Sequence, residues 1–265
     1  MSETAKEGRY IYSVVSSEVE SDLGDVGIEE SRVHLVSFED IAAVVHSCPA
    51  EPYVTKDDER AKGWVLEHSY VIDLATERFG TVLPFSFDVI FIGDDEAVRD
   101  WLEENYDLLK GELERVKGKA EYSVQIFCDE EKLTEKIVMA DPELQRLKDS
   151  LEKMPKGTAY LYQKKLDLKI KEGLLEETAR LAKELGAKID ELSDEVKIEK
   201  KVSWVPDKYK EKMMVASFSC LVRHDGVEAL GDFLEEIDKE DESSVRFSGP
   251  WAPFSFVHLN KGTRR

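Results

Sequence analysis

The sequence predicts an α+β protein with two domains: an N-terminal mixed α/β sheet domain over residues 8–117, and a C-terminal modified ferredoxin-like domain over residues 118–265 with a long helical insertion. The length of 265 residues exceeds the usual size of one domain. The second half follows the order strand, helix, strand, strand, helix, strand, which is the split βαβ pattern. The first half has strands and two helices without regular alternation, and Gly118 marks the predicted boundary.

The N-terminal half contains four runs rich in β-branched and aromatic residues, which are typical of strands. They are residues 10–15, 33–36, 41–46 and 81–92. Residues 41–45 are equally compatible with the start of a helix. Pro84 indicates a sheet edge or a bulge in the last run, since proline cannot donate to a central ladder. The acidic, glycine-containing stretch 18–30 is predicted as a loop.

Two helices are predicted in the same half. Apolar residues recur at three- and four-residue steps over 59–79, which is the period of an amphipathic helix, and Gly80 follows as its C-terminal cap. A second helix is predicted over 94–116. Acidic residues at both helix starts interact favourably with the helix dipole, which explains them without a metal site.

The C-terminal half is predicted to contain four strands and three helical stretches. The strands are residues 120–128, 196–205, 213–222 and 244–247, and the helical stretches are 131–153, 159–192 and 225–240. The first helical stretch is interrupted at Asp141 and Pro142. Apolar residues recur at seven-residue spacing along the long helix: Leu161, Leu168, Leu175, Ala182 and Ile189.

The segment 248–257, Ser-Gly-Pro-Trp-Ala-Pro-Phe-Ser-Phe-Val, combines two prolines with three aromatic residues. Because proline fixes φ and lacks a backbone donor, the segment is predicted to be bent and extended. Its rings need cover, either from the protein's own core or from a partner. We expect a structural latch that fixes the terminus onto the C-terminal sheet, formed by Pro250, Trp251, Pro253, Phe254 and Phe256.

Charge and composition narrow the class of protein. The chain has 37 basic and 57 acidic residues, a net charge of −20, and this field repels phosphate backbones and anionic headgroups. We therefore expect neither nucleic acid nor a membrane surface as partner. Three separated cysteines indicate free thiols, and the first eight residues contain no apolar signal segment. These features predict a soluble cytoplasmic protein, and a monomer is compatible with them.

Catalytic chemistry is not indicated by any motif. Loops for nucleotide binding, a nucleophile elbow and a zinc-protease motif are all missing from the sequence. His46 and Cys48 have a spacing that could place both side chains on one strand face, but no second pair completes a metal site. A hydrolase using His68 or His224 would need a nucleophile beside the imidazole. The sequence thus predicts no catalytic residue, no metal and no cofactor.

Four segments in this order resemble the gas vesicle accessory proteins of the F and L type, the GvpF/GvpL family. They are the strand beginning Tyr10-Ile-Tyr12, the helix carrying Glu67-His68, the run Thr81-Val-Leu-Pro-Phe-Ser-Phe87, and the ending Gly249-Pro-Trp-Ala-Pro-Phe-Ser-Phe-Val257. The resemblance covers about residues 9–258. Four positions differ from the family's common pattern: Ser86 replaces arginine, Asp88 stands where glycine is common, Ala252 replaces proline, and Phe254 replaces tyrosine.

The resemblance implies a non-enzymatic assembly factor that associates with gas vesicles. It would bind the hydrophobic shell protein, other accessory vesicle proteins, or both, during vesicle nucleation and growth. An edge strand or an apolar groove could hold such a subunit by strand addition or helix-in-groove contact. An alternative by analogy of fold is a cytosolic regulatory protein that senses a small molecule, for which a deep polar pocket would be expected.

Three elements are candidate contact surfaces: the strand around Pro84, the exposed side of helix 59–79, and the long helix 159–192. The candidate contact residues are Trp64, His68, Tyr70, Pro84, Phe85 and Phe87. A structural role is also open for each element. The Pro84 strand and the first helix can pack on each other, and the long helix can cover the C-terminal sheet.

Overall fold

The computed structural model describes residues 6–18, 21–151, 154–200 and 205–257. The chain forms two compact units, one made of residues 6–121 with 250–257 and the other being Tyr122–Gly249. The chain passes from the first unit to the second after Glu121, three residues beyond the predicted boundary at Gly118. Residues 250–257 of the terminal segment belong to the first unit, whereas the sequence predicted them in the C-terminal domain.

The first unit is built on one sheet with helices packed against it. Its strands are β1 (Glu7–Ser16), β2 (Asp22–Gly24), β3 (Val33–Phe38), β4 (Ile41–Pro49), β5 (Val82–Pro84) and β6 (Ile90–Ile92). Its helices are α1 (Asp58–Phe79), α2 (Asp95–Glu104) and α3 (Tyr106–Val116), with a 3₁₀ turn at Ile28–Glu30. The strand order is β2-β3-β4-β1-β5, and β6 also pairs with β1. Strand β1 therefore has neighbours on both sides, and all of its residues from Gly8 to Val15 are buried.

Helix α1 follows the sequence prediction because its ends and its buried face are encoded locally. The Asp57 carboxylate accepts hydrogen bonds from the backbone N–H groups of Glu59 and Arg60, and Gly80 ends the helix at φ = 78°. Residues 41–45 form strand β4, not a helix, because they pair with both β1 and β3.

Three predictions for this unit are corrected by the structure. The run 81–92 is two short strands, since the chain turns at Asp88 with φ = 68°. The helix 94–116 is two helices, because Asn105 leaves the helical conformation and its side chain donates to the Trp101 carbonyl at 2.8 Å. The loop 18–30 contains β2 and the 3₁₀ turn.

The second unit has a four-stranded sheet in the order β10-β7-β9-β8. Its strands are β7 (Lys119–Cys128), β8 (Glu195–Ile198), β9 (Met213–Arg223) and β10 (Ser243–Trp251). Its helices are α4 (Glu130–Ala140), α5 (Pro142–Leu151), α6 (Lys156–Glu191) and α7 (Val227–Asp238), with a 3₁₀ turn at Asp207–Tyr209. This order of elements is the predicted one, and β10, which includes Pro250, is an edge strand as proline requires.

The connection between β7 and β8, the first two strands of the second unit, contains three helices. Buried Leu144 and Leu166 join α5 to α6, and buried Leu133 and Leu174 join α4 to α6. Strand β8 is shorter than the predicted 196–205, and residues 201–204 of that prediction lie outside the described residues. Strands β8 and β9 are antiparallel, with Val196 opposite Cys220.

Candidate functional site around a buried tyrosine–histidine network

Two tyrosines of β1 begin a network of polar side chains inside the first unit. Tyr10 and Tyr12 are fully buried, and their rings lie 4.9 Å apart on one face of the strand. Alternate residues of a strand share a face, so the Tyr-Ile-Tyr pattern places both hydroxyl groups toward α1. A buried hydroxyl requires a hydrogen-bond partner, and histidines supply it here.

His68 of α1 is held at both ring nitrogens. Its Nε2 lies 3.1 Å from the Phe85 carbonyl oxygen and its Nδ1 lies 2.9 Å from the Tyr10 hydroxyl. Because a carbonyl can only accept, Nε2 carries the hydrogen, and Nδ1 accepts from Tyr10. The Tyr10 oxygen in turn accepts from the backbone N–H of Asp88 at 3.0 Å. Every polar atom of the neutral imidazole is therefore satisfied.

His46 of β4 occupies the second half of the network. Its Nδ1 lies 2.8 Å from the Tyr12 hydroxyl, and its Nε2 lies 3.0 Å from the Tyr53 hydroxyl. The Tyr12 oxygen accepts from the backbone N–H of Ile28 at 3.0 Å. Both nitrogens of His46 are thus engaged by phenols, so the hypothesis of a His46–Cys48 metal pair loses its imidazole ligand.

Burial keeps the network uncharged at neutral pH. It lowers the pKa of His46 to about 4 and the pKa of His68 to about 4, because an imidazolium is poorly solvated there. Burial likewise raises the pKa of the Tyr10 and Tyr12 phenols, and that of Tyr53 to about 12. His68 has no free nitrogen to act as a general base, which contradicts a hydrolase built on it. His224 is exposed.

Glu67 and Trp64 connect α1 to the 3₁₀ turn. The Glu67 carboxylate accepts from the backbone N–H of Glu29 at 3.0 Å, and the Trp64 indole donates to the Glu29 carboxylate at 3.0 Å. The Glu29 carboxylate also accepts from Arg60, and these hydrogen bonds, the one from Arg60 foremost, lower its pKa. Glu29 has φ = 55°, so side-chain bonds from α1 stabilise a backbone conformation that non-glycine residues seldom adopt.

Most of the predicted contact residues lie inside the protein. Pro84, Phe85, Trp64 and His68 are buried, because β5 and α1 both pack against β1. Phe87 is partly buried against the same core. The packing of these five side chains supports the structural alternative, in which the Pro84 strand and the first helix pack inside the protein. The prediction that they contact a partner at the surface is wrong for the four buried residues.

An exposed apolar face remains on the outer side of α1. Tyr70, the sixth predicted contact residue, is 55% exposed, and Leu66 is 70% exposed one helical turn before it. Val65, which is 46% exposed, lies about 100° around the helix from Leu66. Sequence analysis missed Leu66, although its position outside the buried stripe of α1 was a readable signal. The Tyr–His network lies on the opposite, buried side of α1 and holds the helix through the two hydrogen bonds of His68.

The terminal segment has a different place from the predicted one. Ala252, Pro253 and Phe256 are buried within the first unit, while Trp251 and Phe254 are 52% and 43% exposed. The predicted latch onto the C-terminal sheet is therefore wrong for Pro253 and Phe256, whereas Pro250 and Trp251 are residues of β10 in that sheet.

Two hydrogen-bonding residues of the first unit hold this segment. The Glu121 carboxylate accepts from the backbone N–H and the hydroxyl of Ser255 at 2.7 and 2.5 Å. Arg115 donates to the Phe256 carbonyl at 2.8 Å. The latch thus consists of Phe256 and these bonds, and the rings of Trp251 and Phe254 are not part of it.

A groove of about 580 Å³ lies between α4, α5 and α6 in the second unit. Its floor includes Leu133 and Ile137, and charged side chains line its rim. Two of these rim cations are already paired, Lys169 with Glu143 at 2.6 Å and Arg180 with Glu177 at 2.6 Å. Because these rim charges are already paired, the groove does not support the small-molecule-sensing alternative, which was expected to show a deep polar pocket.

Two further features concern residues 6–18, 21–151, 154–200 and 205–257. Within them, no group of three or more histidine, cysteine or acidic side chains is arranged to hold a metal ion. Within the same ranges, none of the helices is both long and apolar enough to cross a membrane.

Comparison with known proteins identifies the family. The family model described as "Gas vesicle synthesis protein GvpL/GvpF" matches residues 8–258. The chain belongs to the GvpL/GvpF family. Gas vesicle protein L1 of Halobacterium salinarum is 31% identical over 258 residues, covering 96% of this chain and 92% of that protein. Gas vesicle protein L of Haloferax mediterranei is 31% identical over 238 residues, covering 89% and 74%.

The fold of this GvpL/GvpF protein is similar to a solved member of the family. The crystal structure of GvpF from Anabaena sp. PCC7120 superposes with a TM-score of 0.73 at 18% identity, covering 96% of this chain and 99% of that chain. The turn at Asp88 also accounts for one departure from the family pattern, since its φ of 68° is a conformation that favours the glycine common there. Membership supports a role connected with gas vesicles.

Proposed function

We propose that this GvpL/GvpF protein is a non-enzymatic assembly factor that binds the hydrophobic vesicle shell protein, other accessory vesicle proteins, or both, during vesicle nucleation and growth. The observation that carries the proposal is the family match over residues 8–258. A subunit that assembles through strands and apolar helices must be kept from aggregating before it is incorporated. The net charge of −20 would keep such a complex dispersed.

We place the partner contact on the outer face of α1, formed by Leu66 and Tyr70 and here called the α1 face. Leu66 and Tyr70 are exposed one turn apart on a side of α1 that otherwise carries the charged residues Glu59, Asp73 and Glu77. Tyrosine and leucine at i and i+4 are suitable anchors for an apolar helix of a partner. The buried bonds of His68 and Trp64 hold the face rigid, which lowers the entropic cost of binding.

The second unit is proposed to be a modified ferredoxin-like domain. The strand order β10-β7-β9-β8 and the order of its elements support this description. Helices α4, α5 and α6 together form the insertion between its first two strands.

Replacing both Leu66 and Tyr70 by glutamate is expected to weaken capture of a vesicle protein by at least about tenfold, equivalent to about 1.4 kcal/mol, because charge replaces the apolar anchors. The measurement immobilises the purified chain and titrates separately purified shell protein and accessory proteins. Val54→Glu is the matched control, since Val54 is 81% exposed and lies outside α1. Circular dichroism should show that all variants are folded.

Two results would count against the proposal. A wild-type chain that retains neither shell nor accessory proteins would contradict the assembly role itself. Unchanged capture by the Leu66→Glu, Tyr70→Glu variant would leave the role in place and exclude the α1 face as its contact.

A further inference from the structure

Helix α6 carries an exposed apolar stripe that the rest of the second unit does not cover. Leu161, Leu168 and Leu175 are 68%, 63% and 62% exposed. They are spaced by seven residues and so extend over about 21 Å of helix. Leu166 and Ile170, which pack against α4 and α5, lie on the opposite side of α6.

The residues around this stripe are symmetric about Leu168. Over residues 157–179, at about 100° per residue, seven residues lie within about 40° of the direction of Leu168, and all seven are exposed. Further along α6 the same direction continues through Ala182 and Gly186, which are partly buried. We call the seven exposed residues the α6 face: Gly157, Leu161, Lys164, Leu168, Glu172, Leu175 and Ala179. When the order of these seven residues is reversed, a small residue again stands at each end and leucine again stands at the second, fourth and sixth positions. Only the third and fifth positions change in charge, because lysine and glutamate exchange places.

We propose that a second copy of this chain binds the α6 face, with the two helices antiparallel and a twofold axis at Leu168. Reversal places Leu161 opposite Leu175 of the other copy, and Lys164 opposite Glu172. A parallel pair would instead place each lysine opposite a lysine and each glutamate opposite a glutamate. Within the described ranges neither Lys164 nor Glu172 forms an ion pair. The Lys164 ammonium lies 5.5 Å from the centre of the Tyr160 ring, and pairing across the axis would replace this contact.

The size of the α6 face sets the strength of the pair. Seven side chains per copy cover less than the roughly 800 Å² per partner of a standard interface. Exposed Lys–Glu pairs contribute little to affinity, so the leucines supply most of it and the charges select the orientation. We therefore expect a monomer–dimer equilibrium with a dissociation constant on the order of 1–100 μM. Gly157 and Ala179 at the ends allow the backbones to approach.

Cysteine cross-linking tests the geometry directly. In the antiparallel pair, Leu168→Cys places two thiols at the axis, and we expect disulfide-linked dimers under mild oxidation. Leu161→Cys is the matched control at the same exposure, and it should cross-link at least about tenfold more slowly because its counterpart is Leu175. The wild-type chain, with Cys48, Cys128 and Cys220, sets the background. Equal cross-linking by the two variants would overturn the proposal.

Charge exchange supplies an independent readout by sedimentation equilibrium. Lys164→Glu and Glu172→Lys are each expected to weaken dimerisation about threefold or more, and the double exchange should restore it. A wild-type chain that stays monomeric up to about 0.5 mM would overturn the proposal, as this exceeds the expected dissociation constant. Loss of vesicle-protein capture in Leu168→Glu without any change in sedimentation would also overturn it and assign the face to another protein.

Discussion

Phe256→Ala is expected to lower the free energy of unfolding of the first unit by about 3–5 kcal/mol, the usual cost of removing a buried phenylalanine ring. Phe256 is fully buried, and Arg115 and the Ser255–Glu121 bonds hold the adjacent backbone in place. Little collapse into the vacated volume is expected, because the surrounding segment is fixed at these points. The terminal motif would thus act as a structural part of a unit whose strands lie about 200 residues earlier in the chain.

Denaturant unfolding measures this effect, and Phe254→Ala is its matched control. Phe254 lies two residues away in the same motif and is 43% exposed, so its replacement is expected to cost about 1 kcal/mol or less. A comparable loss in the two variants would contradict the assignment of the latch to Phe256. Glu121→Gln should give an intermediate loss, since it keeps the side-chain shape and weakens two hydrogen bonds.

Acidification from pH 6.5 to pH 4 is expected to destabilise the first unit by up to about 3 kcal/mol for each of His46 and His68. Both imidazoles have a pKa lowered to about 4 by burial, whereas an unfolded histidine titrates near 6.5. Within this window the unfolded chain binds more protons than the folded chain. Stability is therefore complete above pH 6.5 and is lost as the pH falls toward 4.

The pH effect can be isolated with histidine variants. His68→Gln is expected to lower stability at pH 7, because it disturbs the bonds to Tyr10 and the Phe85 carbonyl, yet to flatten the dependence between pH 6.5 and 5. His224→Gln, at an exposed position, should leave the slope unchanged. Chemical unfolding at several pH values measures both quantities. An unchanged slope in the double variant His46→Gln, His68→Gln would show that carboxylates alone cause the acid sensitivity.

The sequence predicted those parts of the fold that depend on local signals. Helix α1 was found because Asp57, Gly80 and the apolar period all lie within its own residues. The break at Asp88 was missed because its positive φ is supported by distant groups, the Tyr10 hydroxyl and the Tyr53 backbone, both hydrogen-bonded to Asp88. Local propensity contains no information on such contacts.

The candidate site was predicted less well than the fold for a related reason. Periodicity identified the stripe of α1 that contains Trp64 and His68, but it could not tell whether the core or a partner covers that stripe. The sheet covers it, and the exposed residues Leu66 and Tyr70 are those left over on the outer side. In the same way, the seven-residue spacing on α6 indicated a helix, but it could not predict which of its leucines are exposed. That depends on where α4 and α5 pack against α6.

Deleting the gene in a vesicle-forming host and restoring it on a plasmid tests the central claim most directly. The assembly role predicts that the deletion strain lacks buoyant vesicles, that the wild-type gene restores them, and that the Leu66→Glu, Tyr70→Glu gene restores few or none. Val54→Glu should restore them fully. Flotation and electron microscopy give the readout. Normal vesicles in the deletion strain would contradict the assembly role.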